Sequence, residues 1–300
     1  MIYAIIVTYN AMRRNWIERC LQSLRASTVP VTPIVIDNGS TDGTCEYVPT
    51  HHPEVIWMPQ QKNLGFGQAN NVGIRYVLEH EADYVMLLNQ DAAIAPDAVS
   101  ALLDAAQGQK ALFSPLQLNG EGTKVDQMFR KTLHQTDNGL LEDFLVNHEV
   151  NPVYSTGIFA AACWFMPFSI LKEVGGFNPL FFHYGEDDNY QFRARYHGYE
   201  NLVVIKARMY HDRGEHGNVE IFNKNRMRRE LLLLALDINL TPLQSTKAIL
   251  YLLYKCYTYR LPRHQYRPGT FLPAAIWTLT HLHTIAASRK KEKSIGPTWL

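Results

Sequence analysis

Short apolar runs and amphipathic stretches alternate through the first hundred residues. Residues 3–8 are almost continuously apolar, the pattern of a strand buried on both faces. Ile17, Cys20, Leu21 and Leu24 then recur at i, i+3, i+4 and i+7, which puts them on one helical face. A second buried strand is predicted over 32–36, a short helix over 41–47 and a third strand over 55–58. Ala69, Val72, Gly73 and Tyr76 line a further helix, and residues 84–88 form a fourth strand. This alternation predicts an α/β sheet with helices on its faces. In open sheets of that class the ligand crevice lies at the carboxyl ends of the strands. Three polar strand ends, Thr8-Tyr9-Asn10, Asp37-Asn38 and Asn89-Gln90-Asp91, are therefore expected to face one cleft.

Periodicity then fades, and residues 117–155 read as loop-rich. Residues 157–166 are apolar but too short to cross a bilayer, and 169–174 followed by Gly175-Gly176 predict a short helix with a glycine stop. A strand over 202–207 precedes His211. Thr241-Pro242-Leu243-Gln244 offers an N-cap, a proline at the first helical position and a glutamine at the third, which predicts a helix running to Leu261 before Pro262. Residues 271–287 are uncharged but interrupted by Pro273, Thr278, Thr280, His281, His283 and Thr284, so no spanning helix is expected there.

Composition narrows the class. The 300 residues are 46% hydrophobic and 19% charged, which sustains a sizeable core and excludes fibrous and disordered readings. Cys20, Cys45, Cys163 and Cys256 lie far apart with no Cys-x-x-Cys, so neither a disulfide framework nor a zinc ribbon is supported, and a reducing compartment is expected. The apolar start has no basic n-region and no cleavage site, so no signal peptide is expected. The net charge of +1 hides a division: residues 1–212 hold 15 Lys+Arg against 23 Asp+Glu, whereas 213–300 hold 14 against 5. A basic end on an acidic body predicts an anionic partner, either a membrane surface or nucleic acid. No nucleic-acid module accompanies the charge, so nucleic acid is not expected.

Several segments can carry chemistry. The turn from Asp37 to Thr44 can hold an anion on its N–H groups while Asp37 accepts from a base or ribose, or it is an N-capped turn with no ligand. Gly65-x-Gly67 lacks the third glycine of the dinucleotide pattern and follows the wrong strand, so an NAD site is not supported. Asp91 ends a buried strand and needs a partner: Mn²⁺ or Mg²⁺ bridging a diphosphate, or the cap of the next helix. His211 suits Mn²⁺ beside a carboxylate, or a structural role. Glu186-Asp187-Asp188 sits among Phe181, Phe182, Tyr184 and Tyr190. Like charges near apolar rings make a better general base, and acids also favour a helix N-terminus.

Taken in order, Ile6-Val7-Thr8-Tyr9-Asn10, Asp37-Asn38-Gly39-Ser40, Asn63-Leu64-Gly65-Phe66, Leu88-Asn89-Gln90-Asp91, Gly175-Gly176-Phe177, Phe182-x-x-x-Glu186-Asp187 and His211 resemble family 2 glycosyltransferases. The resemblance covers about residues 1–230 and is to the bacterial rhamnosyltransferase-like and galactofuranosyltransferase-like branch. It implies a GT-A fold, a Rossmann-like α/β fold for nucleotide-diphospho-sugar transferases, with a mixed central sheet and a C-terminal helical extension. It also implies inverting transfer from a dTDP- or UDP-linked sugar to a saccharide or polyprenyl-linked acceptor, in bacterial surface polysaccharide synthesis.

By the same resemblance, Thr8, Tyr9, Asn10, Asp37, Asn38, Asn63, Gly65, Asn70, Asn89 and Asp91 are expected at the nucleotide sugar. Asp91 and His211 would hold Mn²⁺ or Mg²⁺, Asp187 matches the catalytic base with Glu186 its close competitor, and Gly157, Trp164 and Asp188 are expected at the acceptor. Asn89 stands where the family's Asp-x-Asp has its first acid, which removes one negative charge from the metal site.

The implied organisation is a catalytic domain over 1–220, with a nucleotide-binding half over 1–115 and an acceptor-binding half over 116–220, followed by a basic helical region over 221–300. Arg226, Arg228 and Arg229, then Lys247, Tyr251, Tyr254, Lys255 and Tyr257 beside Leu250, Leu252 and Leu253, suit a helix lying in an anionic membrane interface. A helical pair packed on the catalytic domain with a solvated basic face is the equal alternative. The expected location is cytoplasmic, and peripheral on the inner face of the plasma membrane in the first case; the oligomeric state is left open. Two rival functions remain: a sugar nucleotidyltransferase, for which residues 10–14 lack a glycine-rich phosphate loop, and a non-catalytic nucleotide-sugar or glycan-binding module.

Overall fold

The computed structural model describes residues 1–134, 138–146, 149–213, 226–258 and 271–300. The first apolar run becomes β1 (Ile2–Thr8), and its side chains alternate between two cores, with Ile2, Ala4 and Ile6 on one face and Tyr3 and Ile5 on the other. This two-sided burial is why the run is apolar throughout. β2 (Thr32–Asp37), β3 (Ile56–Trp57) and β4 (Tyr84–Asn89) extend the parallel half, joined through α1 (Trp16–Arg25), α2 (Thr44–His51) and α3 (Phe66–His80).

Beyond β4 the sheet becomes mixed. β5 (Ala92–Ile94), α4 (Ala98–Ala106) and β6 (Ala111–Asn119) follow in the chain, and later β7 (Val153–Ser155), β8 (Cys163–Pro167), α7 (Ser169–Glu173), α8 (Glu186–Tyr196) and β9 (Glu200–His211). β8 runs antiparallel to β4 and to β6, β9 parallel to β6, and β5 antiparallel to β9, giving the order β3-β2-β1-β4-β8-β6-β9-β5 with β7 also paired to β9. Leu21 of α1 and Leu102 of α4 fill one core; Val77 of α3, Leu171 of α7 and Tyr190 of α8 fill the other.

Two expectations are corrected. Residues 117–155 are not simply loop: they hold the end of β6, α5 (Gln127–His134), α6 (Leu140–Leu145) and β7. Phe129 is the fully buried anchor of α5, and one apolar anchor in a polar stretch leaves little periodicity to read. β9 runs four residues further than 202–207, so His211 lies in the strand and not after it. The uncharged stretch 271–287 is divided between α11 (Phe271–Thr280) and α12 (Leu282–Glu292).

Ahead of these lie α9 (Arg226–Leu236) and α10 (Pro242–Tyr257); the predicted extension of α10 to Leu261 falls partly outside the described residues. α10 starts on the expected capping box, with Gln244 N donating to Thr241 Oγ1 (3.3 Å) and Thr241 N to Gln244 Oε1 (2.8 Å). Among the described residues, no helix is long and apolar enough to cross a membrane.

The last residues are stitched behind the sheet. Gly176 N donates to Thr298 O (2.8 Å), Gly296 N to Glu173 O (3.0 Å) and Asn71 Nδ2 to Trp299 O (3.3 Å). Arg193 of α8 and Glu292 of α12 are both inaccessible to solvent and lie 3.9 Å apart, with Asn178 Nδ2 donating to Glu292 Oε1 (2.6 Å) and Arg193 Nη1 to Val174 O (3.0 Å). Buried charges persist only when paired. Replacing Glu292 by alanine would strand the guanidinium and is expected to lower stability by about 3–5 kcal/mol in urea unfolding. A loss below about 1 kcal/mol would show that the carbonyl oxygens around Arg193 suffice.

Candidate active site

The strand ends meet as the sequence predicts, held together by amide side chains. Gln90 clasps the backbone after β1: Tyr9 N donates to Gln90 Oε1 (2.8 Å), and Gln90 Nε2 donates back to Tyr9 O (3.1 Å). Asn38, after β2, donates through Nδ2 to Asn63 Oδ1 (3.1 Å) and accepts from Leu64 N (2.8 Å). Asn63 Oδ1 also accepts from Gly65 N (2.8 Å). Gly65 has φ of +82°, and a Cβ there would collide with the carbonyl of Phe182, so only glycine lets these two loops touch.

Two adjoining cavities open at these ends, of about 690 Å³ and 510 Å³. The first is lined by Tyr9, Asn38, Asn63, Gly65, Gln90 and Asp91; the second by Glu186, Asp187, Asp188 and His211. Phe66, Asn89, His183, Tyr184 and Arg229 line both and form the seam between them.

Other expected residues lie behind these walls. Asp37 is fully buried and saturated by its own turn: Oδ1 accepts from Thr8 Oγ1 (3.0 Å) and Ser40 Oγ (2.5 Å), Oδ2 from the N–H groups of Gly39 (3.2 Å) and Ser40 (2.9 Å). Thr8 is thereby buried too. Asn10 accepts from Thr41 N (2.8 Å), and Asn70 is buried with Nδ2 donating to Phe66 O (3.0 Å). These four shape the turns that carry Tyr9, Asn38 and Gly65. Trp164, expected at the acceptor, is fully buried in β8 against Phe159, Phe177 and Tyr190, because β8 is an interior strand with helices packed on that face. Gly157 accepts from Asn201 Nδ2 (2.5 Å) beside the second cavity and does not line it.

Strand pairing brings Asp91 to His211. β5 pairs with β9 so that Ala92 faces His211, which leaves Asp91 Oδ1 3.3 Å from His211 Nε2. His211 Nδ1 and Asn89 Oδ1 are buried with no hydrogen-bond partner among the described residues. One imidazole, one carboxylate and an unused amide oxygen form a donor set that fits Mn²⁺ or Mg²⁺ with positions left for phosphate oxygens and water. Among the described residues no group of three or more His, Cys, Asp or Glu side chains is arranged to hold a metal ion, so protein acids alone do not complete a coordination sphere.

The three acids open α8. Tyr184 has φ of +69°, and Gly185, in the left-handed region, caps the helix. Asp187 Oδ1 accepts from Asp188 N (3.0 Å), and its carboxylate also accepts from the Ala161 backbone. Glu186 is buried, and burial followed by the Asp187 charge pushes its carboxyl up to about 8; burial also raises Asp187 and Asp188.

From sequence the arginines of α9 suit either a membrane interface or the solvated face of a helical pair packed on the body, and the fold places them at the cavities. Arg228 and Arg229 line the first cavity; Arg226, Arg229 and Arg213 line the second. Arg213 is paired with buried Asp126 (2.7 Å), another acid the sequence did not single out. The readable signal was three arginines in four residues, but their direction depends on α9 burying Leu231, Leu232 and Leu236.

The profile of glycosyl transferase family 2 matches residues 3–175. The chain is 28% identical over 222 residues, 65% of its length, to the N-acetylglucosaminyl-diphospho-decaprenol L-rhamnosyltransferase of Mycobacterium tuberculosis, of which it covers 71%. Among solved structures, residues 1–349 of S. aureus TarS share its fold with TM-score 0.59 at 16% identity, covering 97% of this chain and 88% of that one. The chain spans 41% of the longer TarS chain. The mannosyltransferase PcManGT of Pyrobaculum calidifontis, solved with GDP-Man and Mn²⁺, gives TM-score 0.56 at 19% identity over 95% of this chain and 77% of that one. The mixed sheet is thus of the GT-A kind.

A carboxyl raised by burial keeps its proton in the fold at pH values where the unfolded chain has lost it. Stability contributed this way is present below the ordinary value of 4.5 and falls as pH rises toward about 8. Melting of the wild type is therefore expected to fall more between pH 5 and pH 8 than melting of Glu186→Gln. Parallel curves would mean that Glu186 ionises normally.

Proposed function

The chain belongs to glycosyl transferase family 2, enzymes that move a sugar from a nucleotide-diphosphate donor to an acceptor with inversion, and we propose that this member acts in bacterial surface polysaccharide synthesis. The donor is dTDP-rhamnose or a UDP-hexose, and the acceptor a saccharide or lipid-linked saccharide. The observation that carries this reading is the seam: Asp187 lines one cavity, Asp91 the other, and they share one wall. The nucleotide sugar occupies the first cavity and the acceptor the second, with residues 1–220 forming the catalytic domain. The name of the M. tuberculosis relative supports a lipid-linked acceptor.

Asp187 takes the proton of an acceptor hydroxyl while that oxygen bonds to the anomeric carbon. The bond from that carbon to the diphosphate oxygen breaks on the opposite face, and the nucleoside diphosphate leaves with the electron pair. Backbone N–H donors hold the Asp187 carboxylate in place, and burial raises its basicity. Asp91 and His211 would hold a divalent cation, which supplies positive charge to the leaving diphosphate. Tyr9, Asn38 and Asn63 face the nucleotide.

Asp187→Asn is expected to cut turnover by about 10²-fold or more while UDP or dTDP still raises the melting temperature. Near-normal turnover would move the base to Glu186. A wild type with no turnover on any donor would favour the binding-module reading.

The helices after α9 support a membrane-facing role for residues 221–300. α10 presents Leu243, Leu250, Tyr251 and Tyr254 outward, and α11 presents Leu272, Ile276 and Leu279, all at least half exposed. Residues 238–291 hold eight Lys+Arg and no Asp or Glu, so this stretch of sequence carries a charge complementary to an anionic inner-leaflet surface. Co-sedimentation with phosphatidylglycerol vesicles is expected, weakened by salt and by the pair Leu250→Asp and Ile276→Asp. Equal recovery with neutral vesicles would refute the electrostatic part.

A further inference from the structure

We propose that Arg229, with Arg228 beside it, binds the donor's diphosphate, so that a helix outside the family-matched region supplies the charge the metal site lacks. This deepens the donor reading above and rests on it. A nucleoside diphosphate carries several negative charges, and a cavity that holds it has to offset them. The wall built by the matched region offers Tyr9, Asn38, Asn63, Asn89 and Gln90, all neutral, and one acid, Asp91. Among the described residues lining that cavity, Arg228 and Arg229 are the permanent cations, and both come from α9, beyond residue 175.

Their placement suits the role. Arg229 lines both cavities, so its side chain reaches the seam where the sugar–diphosphate bond breaks. Its side chain is only 10% exposed, and its stem packs so closely on Gly185 that a Cβ there would stand 2.9 Å from Arg229 Cγ. The guanidinium lies 5.9 Å from the centre of the Tyr184 ring, and Arg228 stacks 3.6 Å over Trp277 of α11. Stacked, partly desolvated guanidinium groups bind phosphate through paired N–H donors and lose little freedom in doing so. In that setting their charge acts more strongly than in water, and most strongly as charge builds on the departing phosphate. Asn89 makes the need concrete: it brings a neutral amide to the strand end that carries Asp91, so the site attracts a cation less strongly than two acids would, and α9 compensates.

The competing explanation is that Arg229 only neutralises acids, since Glu230 lies 4.0 Å away and Asp187 and Asp188 share its field. Titration calorimetry separates the two. UDP, UMP, dTDP and dTMP would be titrated into the full chain, wild type and Arg229→Gln, Arg229→Lys and Arg228→Gln, with Mn²⁺ and with EDTA. A diphosphate contact predicts a roughly 10- to 100-fold loss of diphosphate affinity in Arg229→Gln, a much smaller loss for the monophosphate, and partial recovery in Arg229→Lys. A diphosphate-to-monophosphate ratio unchanged from wild type in both Arg229 variants would overturn the proposal and leave the donor site standing. Failure of the wild type to bind any of the four nucleotides would overturn the donor reading and the proposal with it.

Discussion

Everything in the cleft depends on β4 being hydrogen-bonded on both sides to strands of opposite direction, β1 parallel and β8 antiparallel. A strand so held cannot shift register without moving every side chain to the wrong core. Its carboxyl end therefore delivers Asn89, Gln90 and Asp91 at fixed heights. Gln90 reaches back to Tyr9 on the parallel side, while the chain turns at once into β5, whose pairing with β9 sets Asp91 against His211. The cleft marks the line where the parallel half of the sheet gives way to the mixed half.

The electrostatics of the site are assembled from two parts of the chain. The body brings acids, Asp91 at the sheet and Glu186, Asp187 and Asp188 at the start of α8, and burial disfavours the ionised form of those three. The last quarter brings the arginines. Neither part is comfortable alone, because crowded acids and partly buried guanidinium groups both lose hydration. Docking α9 over the cavities brings Arg229 into the field of Asp187 and Asp188 and forms one wall of the first cavity at the same time.

The sequence made the strand ends legible because a buried parallel strand is a continuous apolar run and its polar successor marks the crevice. Thr8-Tyr9-Asn10, Asp37-Asn38 and Asn89-Gln90-Asp91 all arrive where that rule puts them. It could not say which of those side chains face the ligand. Asp37 and Tyr9 look equally available in a motif, yet Asp37 spends its oxygens on its own turn while Tyr9 stands 47% exposed. Trp164 illustrates the same limit, since strand position alone does not tell an inward face from a ligand-facing one. The place of Arg229 was not legible for a different reason: composition assigns charge to a segment, whereas direction is set by which face of α9 meets the core.

The pairing of Arg193 with Glu292 also joins distant parts of the chain. A ribosome releases α8 and the sheet long before it releases α12; Asn178, which shares Glu292, lies 114 residues upstream of it. Without that glutamate, burying the arginine would leave it with no counter-charge, a cost that falls on the segment between Gly176 and α8. Glu186, Asp187 and Asp188 follow that segment directly. The buried pair thus ties the segment that leads into α8 to a residue more than a hundred positions later in the chain, so the three acids that open α8 depend for their setting on a contact that local sequence cannot supply.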